Sequence, residues 1–153
     1  ASTGKASSAG WLKSIGASSV IDRSETSAES PKPLESERWA GAVDCVGGTT
    51  LAYALRTLKY GAAVAASGLT GGSGLTTTVL PFILRNISLL GIDSVQTPMP
   101  LRRSLWQRID TDLRPQWLDT EVPEVIGLND LPLQLDKILA GQMQGRVLVD
   151  PNL

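Results

Sequence analysis

The chain has 153 residues, a formal net charge of −1, one cysteine and no histidine. This balance excludes a basic surface for nucleic acid and a polybasic membrane patch, and no apolar run approaches the roughly 20 residues that span a bilayer. The cysteine and histidine counts exclude a disulfide framework, the usual zinc sites and a Ser-His-Asp or Cys-His triad within these residues. We therefore expect a single domain with its own hydrophobic core. We expect neither nucleic acid nor a membrane as a partner.

The first forty residues predict a helix and a strand ahead of a polar excursion. Ser7 or Ser8 could cap a helix that Gly16 ends, and Ser19–Ile21 then forms a short strand. The polar stretch from Asp22 to Arg38 is interpreted as a surface excursion, because the sheet pattern resumes directly after it. Its acidic side chains are expected to form a solvated face: Glu25, Glu29, Glu35 and Glu37.

The middle of the chain alternates apolar strands with helices. The predicted strands are Gly41–Val46, Gly61–Ser67 and Ser88–Asp93, and helices over Leu51–Leu58 and Val79–Asn86 separate them. Thr49 or Thr50 is expected to cap the first of these helices. Strands that are nearly continuously apolar are typical of a parallel sheet covered on both faces. The predicted fold class is therefore α/β.

Glycine follows two of these strands, at Gly47 and at Gly68. In open α/β sheets ligands bind outside the carboxyl ends of the strands, so these turns are the candidate functional region. Asp44 lies near one strand end; it could be a site carboxylate or a simple acceptor of backbone hydrogen bonds, and the sequence favours neither. Cys45 lies inside an apolar strand and is expected to be a buried, inert thiol.

The C-terminal third predicts two helices and two strands. An amphipathic helix covers Leu101–Leu113, and a brief strand follows at Val125–Gly127. Asn129 or Asp130 would then cap a helix that carries Leu131 to Leu139, before a last strand at Gly145–Asp150.

Two glycine-containing motifs fail as phosphate-binding signatures. In a P-loop the Gly4-Lys5 pair would be followed by Ser or Thr, but Ala6 follows here. The Gly71-Gly72-Ser73-Gly74 run lacks the third glycine of a dinucleotide fingerprint and is interpreted as a flexible loop.

Several segments resemble the medium-chain dehydrogenase/reductase superfamily: WAGAVDCVGG, YGAAVAASGLTGG and, most specifically, LPFILRNISLLGIDSV. They are similar to its zinc-independent quinone oxidoreductase branch, and within it to the NADPH-dependent acryloyl-CoA reductase subfamily. LKSIGASSVIDR and QGRVLVD fit as well. The resemblance implies a partial Rossmann fold with a mostly parallel sheet, lacking its first strand and Gly-rich turn. Residues 1–118 would be this incomplete nucleotide-binding domain, and residues 119–153 would return to a catalytic domain.

The resemblance implies NADPH as the cofactor. Residues 3–5 would receive the adenosine 2′-phosphate, residues 46–47 would pass under the adenosine side, residues 67–69 would face the nicotinamide, and residues 82–84 would lie near the nicotinamide ribose. Arg146 would lie near the cofactor at the domain junction. The implied cofactor-binding residues are Thr3, Gly4, Lys5, Val46, Gly47, Ser67, Gly68, Leu69, Phe82, Ile83, Leu84 and Arg146.

No catalytic residue and no metal ligand is assigned, because the groups that act on the substrate would come largely from a catalytic domain outside this chain. The polar start at Ala1 fits either an expression tag or a chain cut within a domain. Because the resemblance implies that Ala1 falls at the end of the second Rossmann strand, we expect a C-terminal fragment of an enzyme roughly twice as long.

The expected activity is NADPH-dependent reduction of an activated double bond in a small molecule, either an enoyl-CoA such as acryloyl-CoA or a quinone. The alternative is a catalytically inactive Rossmann-like remnant that acts as a dimerisation module. A third possibility is a small-molecule-binding α/β domain of unrelated function. The resemblance also implies a homodimer formed through the Ser88–Asp93 strand, and a cytoplasmic location is expected because no signal-peptide pattern is visible.

Overall fold

The computed structural model of the protein describes residues 1–119, 121 and 123–153. Short strands alternate with helices along most of this length. In chain order the elements are β1 (Ser2–Thr3), α1 (Ala9–Ser14), β2 (Ile21–Asp22), α2 (Arg23–Thr26), β3 (Ala42–Asp44), α3 (Gly48–Thr57), β4 (Ala63–Ala66), α4 (Leu80–Arg85), β5 (Ser88–Gly91), α5 (Met99–Asp110), β6 (Glu124–Ile126), α6 (Leu131–Leu139) and β7 (Val147–Val149).

The described strands form three sheets, and every pairing within them is parallel. β1 pairs with β2, β6 pairs with β7, and the largest sheet has the order β3-β4-β5. In that sheet Ala42 lies opposite Val64, and Ala63 lies opposite Ser88. The α/β fold with parallel sheets predicted from the sequence is therefore confirmed.

The hydrophobic core lies between α3 and β4. Leu55 on α3, Leu58 directly after it and Val64 on β4 are fully buried. Phe82 and Trp39 pack against this cluster. Burying one such side chain contributes about 1.5–3 kcal/mol, so this unit holds much of the stability that the described residues generate. The same unit carries both glycine turns, which gives the candidate site a rigid base.

One predicted cap and the bounds of one predicted helix differ from the structure. α3 begins at Gly48 with Gly47 as its N-cap, rather than at the predicted Thr49 or Thr50. Gly47 has φ +72°, a conformation that glycine adopts at little cost, so the chain enters the helix earlier than a threonine cap would allow. α5 likewise begins at Met99 and ends at Asp110, with a proline in its first turn.

The acidic side chains of the excursion lie at the surface: Glu25, Glu29 and Glu37 are exposed and Glu35 is half-buried. Three of its acidic side chains pair with arginines: Glu25 with Arg38, Glu35 with Arg56, and Glu37 with Arg85. Arg85 also donates to the carbonyl oxygens of Arg56 and Leu58, at 2.8 and 3.3 Å, near the end of α3. The excursion is therefore attached to the core unit by side chains far away in sequence.

The prediction of a buried Cys45 is also wrong, because this thiol is exposed. β3 pairs with β4 along one edge, and the face that carries Val43 and Cys45 is open: Val43 is 82% exposed. Alternate residues of a strand point to the same face, so one uncovered face exposes both side chains.

The C-terminal elements leave much apolar surface exposed. The predicted apolar row consists of Leu101, Leu105 and Ile109 on α5 and Leu113 just beyond its end. All four side chains are exposed. None of the described helices is long and apolar enough to cross a membrane. The predicted boundary between residues 118 and 119 stays a prediction, and Thr120 and Val122 in the second segment lie outside the described residues.

Candidate functional site

The loops that follow β3 and β4 are joined by hydrogen bonds. The Ser67 N–H donates to the Asp44 carbonyl at 2.8 Å, and the Gly71 N–H donates to the Val46 carbonyl at 2.7 Å. The Thr70 hydroxyl adds a bond of 3.2 Å to the Cys45 carbonyl. The turns predicted to bind the adenosine and nicotinamide sides of a cofactor are thus brought together at the carboxyl edge of one sheet.

The Asp44 carboxylate accepts a backbone hydrogen bond at this edge of the sheet. Its side chain is 4% exposed, and Oδ2 accepts a hydrogen bond of 2.8 Å from the Gly47 N–H. Of the two interpretations that the sequence left open, acceptance of backbone hydrogen bonds is the one confirmed. An unpaired buried donor costs about 1–3 kcal/mol, so Asp44 stabilises the turn into α3.

Two glycines allow the loops to approach this closely. A Cβ on Gly47 would collide with the Gly72 carbonyl oxygen, and a Cβ on Gly68 would lie 2.6 Å from the Cys45 carbonyl oxygen. Real side chains do not tolerate such distances, so both positions require glycine. The result is a stretch of bare backbone that a flat ligand group can approach closely.

The other residues predicted to contact the nicotinamide side have different surroundings. Leu69 is exposed beside the joined loops, and Ile83 and Leu84 are exposed on α4. Phe82, also on α4, packs against the hydrophobic core. Its ring therefore contributes to positioning α4, whichever group binds near the two exposed side chains.

The predicted phosphate-binding loop follows β1 and has a different construction. The Thr3 hydroxyl oxygen accepts a bond of 3.1 Å from the Lys5 N–H, which closes a tight turn around Gly4. The Lys5 ammonium donates to the Met143 carbonyl at 2.8 Å. Lys5 therefore connects this loop to the segment just before Arg146, the predicted contact at the domain junction.

Arg23 is a candidate that sequence reasoning missed. It is the first residue of α2, and a Cβ on Gly4 would lie 3.6 Å from both Cζ and Nε of its guanidinium. The sequence analysis assigned this residue to a surface excursion. Its place directly after β2, at the carboxyl end of the strand paired with β1, is the signal that could have found it.

The turn into α2 holds Arg23 in place. Asp22 is the N-cap, and its Oδ1 accepts bonds from the hydroxyl and the backbone N–H of Ser24, at 2.6 and 2.8 Å. These two bonds lower the pKa of the Asp22 carboxyl. Farther along, the Thr26 and Ser2 hydroxyl oxygens lie 2.8 Å apart, which links α2 to β1.

Arg146 lines a cavity of about 850 Å³ between α1 and the C-terminal segment. Arg146 is exposed, and its Nη1 donates to the carbonyl of the preceding Gly145 at 3.0 Å. Trp11 on α1 lines the same cavity and donates from Nε1 to Glu121 Oε2 at 3.0 Å. This contact and the Lys5 bond attach the C-terminal segment to the β1 loop.

Within residues 1–119, 121 and 123–153, no three or more His, Cys, Asp and Glu side chains cluster so that they could hold a metal ion. The polar groups near the strand ends include hydroxyls, cations and backbone N–H groups, and the carboxylates there, Asp22 and Asp44, already accept hydrogen bonds from Ser24 and Gly47. Such donors suit phosphate and ribose.

Parallel strands, alternating helices and glycine turns at the strand ends define a Rossmann-like nucleotide-binding fold. Comparison with known families agrees with that class. The sequence model of the zinc-binding dehydrogenases matches residues 1–111, and the chain belongs to this family.

Two relatives resemble the chain over nearly its whole length. The acrylyl-CoA reductase AcuI of Ruegeria pomeroyi is 49% identical over 150 residues, which are 98% of this chain and 45% of AcuI. Bacillus subtilis YhfP, whose name places it with the quinone oxidoreductases, is 48% identical over 149 residues, 97% of this chain and 45% of YhfP.

Solved structures give the same result. The crystal structure of YhfP with NAD bound has a TM-score of 0.91 over 97% of this chain and 45% of that protein, with 48% identity. The structure of Escherichia coli K-12 YhdH with bound NADPH has a TM-score of 0.87 with 46% identity, over the same shares of the two chains. The chain thus spans a little under half the length of these relatives, and the resemblance seen in its sequence is confirmed.

Proposed function

We propose that this chain supplies the NADPH-binding part of an oxidoreductase that reduces an activated double bond. One observation carries the proposal: almost the whole chain matches structures of oxidoreductase relatives solved with NADPH or NAD bound, at 46–48% identity. Among proteins this similar, the same backbone and the same strand-end turns are expected to serve the same cofactor class.

The local chemistry of the chain fits a dinucleotide. The bare backbone at Gly47 and Gly68 leaves room that a Cβ would fill, which suits the flat groups of a nucleotide. At the end of β1 and directly after it, the chain has Thr3, Gly4 and Lys5 rather than a carboxylate. An acidic residue near this position binds the ribose 2′-hydroxyl of NADH, whereas cations favour the 2′-phosphate of NADPH. The residue types therefore favour NADPH.

The residues of this chain act by positioning. When bound, NADPH would supply the hydride. Residues 46–47 would support the adenosine side, and residues 67–69 would present backbone to the nicotinamide so that one face of the ring points to the substrate. Ile83 and Leu84 would contact the nicotinamide ribose, and Arg146 would approach the cofactor from the C-terminal segment. No catalytic residue of this chain forms part of the proposal.

The names of the relatives support two substrate classes. AcuI is an acrylyl-CoA reductase, which favours an enoyl thioester such as acryloyl-CoA for the protein that contains this chain. The name of YhfP favours a quinone as the second candidate. NADPH consumption measured with each substrate in turn ranks the two. The inactive-remnant alternative has no observation in its support.

Titration of the chain with NADPH and with NADH tests the cofactor proposal. We expect binding in the micromolar range with a preference for NADPH, measured by calorimetry or by quenching of tryptophan fluorescence. The absence of binding at millimolar concentrations of either cofactor would contradict the proposal for this chain.

Cell fractionation tests the cytoplasmic location, which is part of the same proposal.

We also propose a homodimer through β5. Leu89, Leu90 and Ile92 are exposed, and an uncovered apolar edge strand favours pairing with another strand. The N–H groups of Ser88 and Ile92 bond to the carbonyls of Ala62 and Ala66, so the Leu89 N–H points to the open edge.

Replacing this residue tests the interface, because proline has no N–H to donate. We expect Leu89→Pro to sediment as a monomer while the unmodified chain sediments as a dimer. If both have the same mass, β5 does not form the interface.

A further inference from the structure

We propose that Arg85 is a positioning residue for the nicotinamide half of the cofactor, because it sets the orientation of α4. The inference rests on the proposed function and adds a residue outside the set that the resemblance implies. Arg85 itself does not contact the cofactor. It acts through Ile83 and Leu84, the two exposed side chains of the same helix that would contact the nicotinamide ribose.

The helix α4 has little to fix its orientation by itself. It comprises six residues, Leu80–Arg85, and isolated helices of this length are marginal in water. In its first half Pro81 is buried and Phe82 packs against the core. Ile83 and Leu84 are 69% and 58% exposed, so their placement depends on how the other end of the helix is held.

The side chain of Arg85 holds that other end. Its Nη1 donates to the carbonyl oxygens of Arg56 at 2.8 Å and of Leu58 at 3.3 Å. Its Nη2 donates to the carbonyl oxygen of Glu35. The last carbonyls of a helix have no partner within it, and a cation near them also interacts favourably with the helix dipole. The end of α3 is therefore a suitable anchor for a guanidinium.

The backbone of Arg85 is fixed as well. Its carbonyl oxygen accepts a bond of 2.8 Å from the N–H of Gly61, in the turn between α3 and β4. Asn86 follows with φ +50° and ends the helix. The side chain and the backbone of one residue thus attach the end of α4 to the unit that carries the hydrophobic core.

The guanidinium of Arg85 is engaged by protein groups rather than open to a ligand. The side chain is 14% exposed, and Nε lies 3.6 Å from Oε1 of Glu37, in addition to the carbonyl contacts. A direct bond to the cofactor would break these contacts. The influence of Arg85 on binding therefore passes through the helix that it holds.

The adenosine side of the site is held without Arg85. There the Gly47 N–H donates to the buried Asp44 carboxylate at 2.8 Å, and the Gly71 N–H donates to the Val46 carbonyl at 2.7 Å. Neither bond involves α4. Loss of the Arg85 side chain should therefore disturb the nicotinamide half of the site and leave the adenosine half intact, whereas a general loosening of the fold would affect both halves.

The test compares Arg85→Gln with Arg56→Gln in the full chain. Arg56 is the matched control, because it is also buried and donates to Glu35 and to the Ala28 carbonyl, and neither bond reaches α4. Calorimetric titration gives the Kd for NADPH, which contains both halves, and for 2′,5′-ADP, which contains only the adenosine half. We expect Arg85→Gln to weaken NADPH about tenfold, or about 1.4 kcal/mol, and to leave 2′,5′-ADP unchanged. Arg56→Gln should keep the ratio of the two Kd values found for the unmodified chain.

Arg85→Lys keeps the charge but not the fork, so it should raise the ratio of the NADPH Kd to the 2′,5′-ADP Kd by less than Arg85→Gln does. Urea unfolding shows whether each variant is folded, and if Arg85→Gln is not, the ratio for Arg85→Lys decides. An unchanged ratio in the folded Arg85 variants, or an equal rise in Arg56→Gln, overturns the inference while the proposed function stands. If the unmodified chain binds neither NADPH nor NADH, the proposed function fails and this inference with it.

Discussion

The loops after β3 and β4 and the loop after β1 form two sides of the candidate site, and they are built differently. The first side is closed by backbone bonds, such as Gly71 to Val46 at 2.7 Å, and by a buried carboxylate under Gly47. The second side presents the Thr3 hydroxyl, Lys5 and Arg23, and its side chains are mostly exposed.

The two sides therefore contribute different properties to the site: the loops after β3 and β4 set its shape, and the loop after β1 sets its charge. On the backbone side, a substitution should change stability first and ligand binding as a consequence, because the same atoms hold the fold and form the cradle. On the charged side, a substitution should change the choice of cofactor and leave unfolding nearly unaffected. Each of the following expectations tests that division, from the largest effect to the smallest.

Gly68→Val should give the largest loss of stability. A Cβ at this position lies 2.6 Å from the Cys45 carbonyl oxygen, and backbone atoms cannot rotate away as a side-chain end can. We expect the free energy of unfolding to fall by about 3 kcal/mol, as for severe overpacking, measured by urea denaturation. Gly74→Val is the matched control, since a Cβ at Gly74 meets nothing within 4 Å. Equal effects of the two substitutions would mean that the loops are not held together as described.

Asp44→Ala should lower the free energy of unfolding somewhat less than Gly68→Val does. The substitution leaves the buried Gly47 N–H without its 2.8 Å partner, which costs about 2 kcal/mol. The control is Asp93→Ala: the Asp93 carboxylate also accepts two backbone bonds, from Val95 and Gln96, but it is exposed, so water can replace it. A urea midpoint for Asp44→Ala close to that of the control would contradict the role assigned to this carboxylate.

Lys5→Glu should change cofactor choice rather than stability. Reversing the charge at the loop after β1 is expected to weaken NADPH binding about fivefold to tenfold, since it removes one favourable interaction with the phosphate and adds a repulsion. NADH binding should change little. Lys59→Glu makes the same charge change at another exposed lysine and should affect neither cofactor. Equal loss of both cofactors in calorimetric titrations would refute the phosphate role of Lys5.

Asp22→Asn should have the smallest effect on the free energy of unfolding, and the size of that effect should depend on pH. The bonds from Ser24 lower the pKa of the folded carboxyl below its ordinary value of 3.8. The contribution to stability is therefore fully present above that value and is lost as the pH falls through the lowered pKa. Asparagine still caps α2 but does not titrate. Urea unfolding at pH 6 and at successively lower pH should show the two proteins converging in acid, and parallel curves would contradict this origin.

The structure confirms much of what the sequence predicts about the fold. Short apolar runs between glycines predicted the parallel strands. The expected cover on both faces is not complete in the described residues, because Val43 on β3 and Leu90 on β5 are exposed. The ends of the helices were less predictable. Gly47 rather than a threonine is the N-cap of α3, because its positive φ and the buried carboxylate three residues earlier form the turn together.

The sequence by itself determined the fold class, the family and the position of the glycine turns, because each depends on residues close together in the chain. The tertiary structure alone decided that Asp44 serves the backbone, that Cys45 is exposed, and that three glutamates pair with arginines. It also brought Arg23 to Gly4, and Lys5 to Met143, which lies 138 residues farther along the chain. Such contacts leave no periodic signal, because the relative position of two distant side chains depends on how every element between them packs.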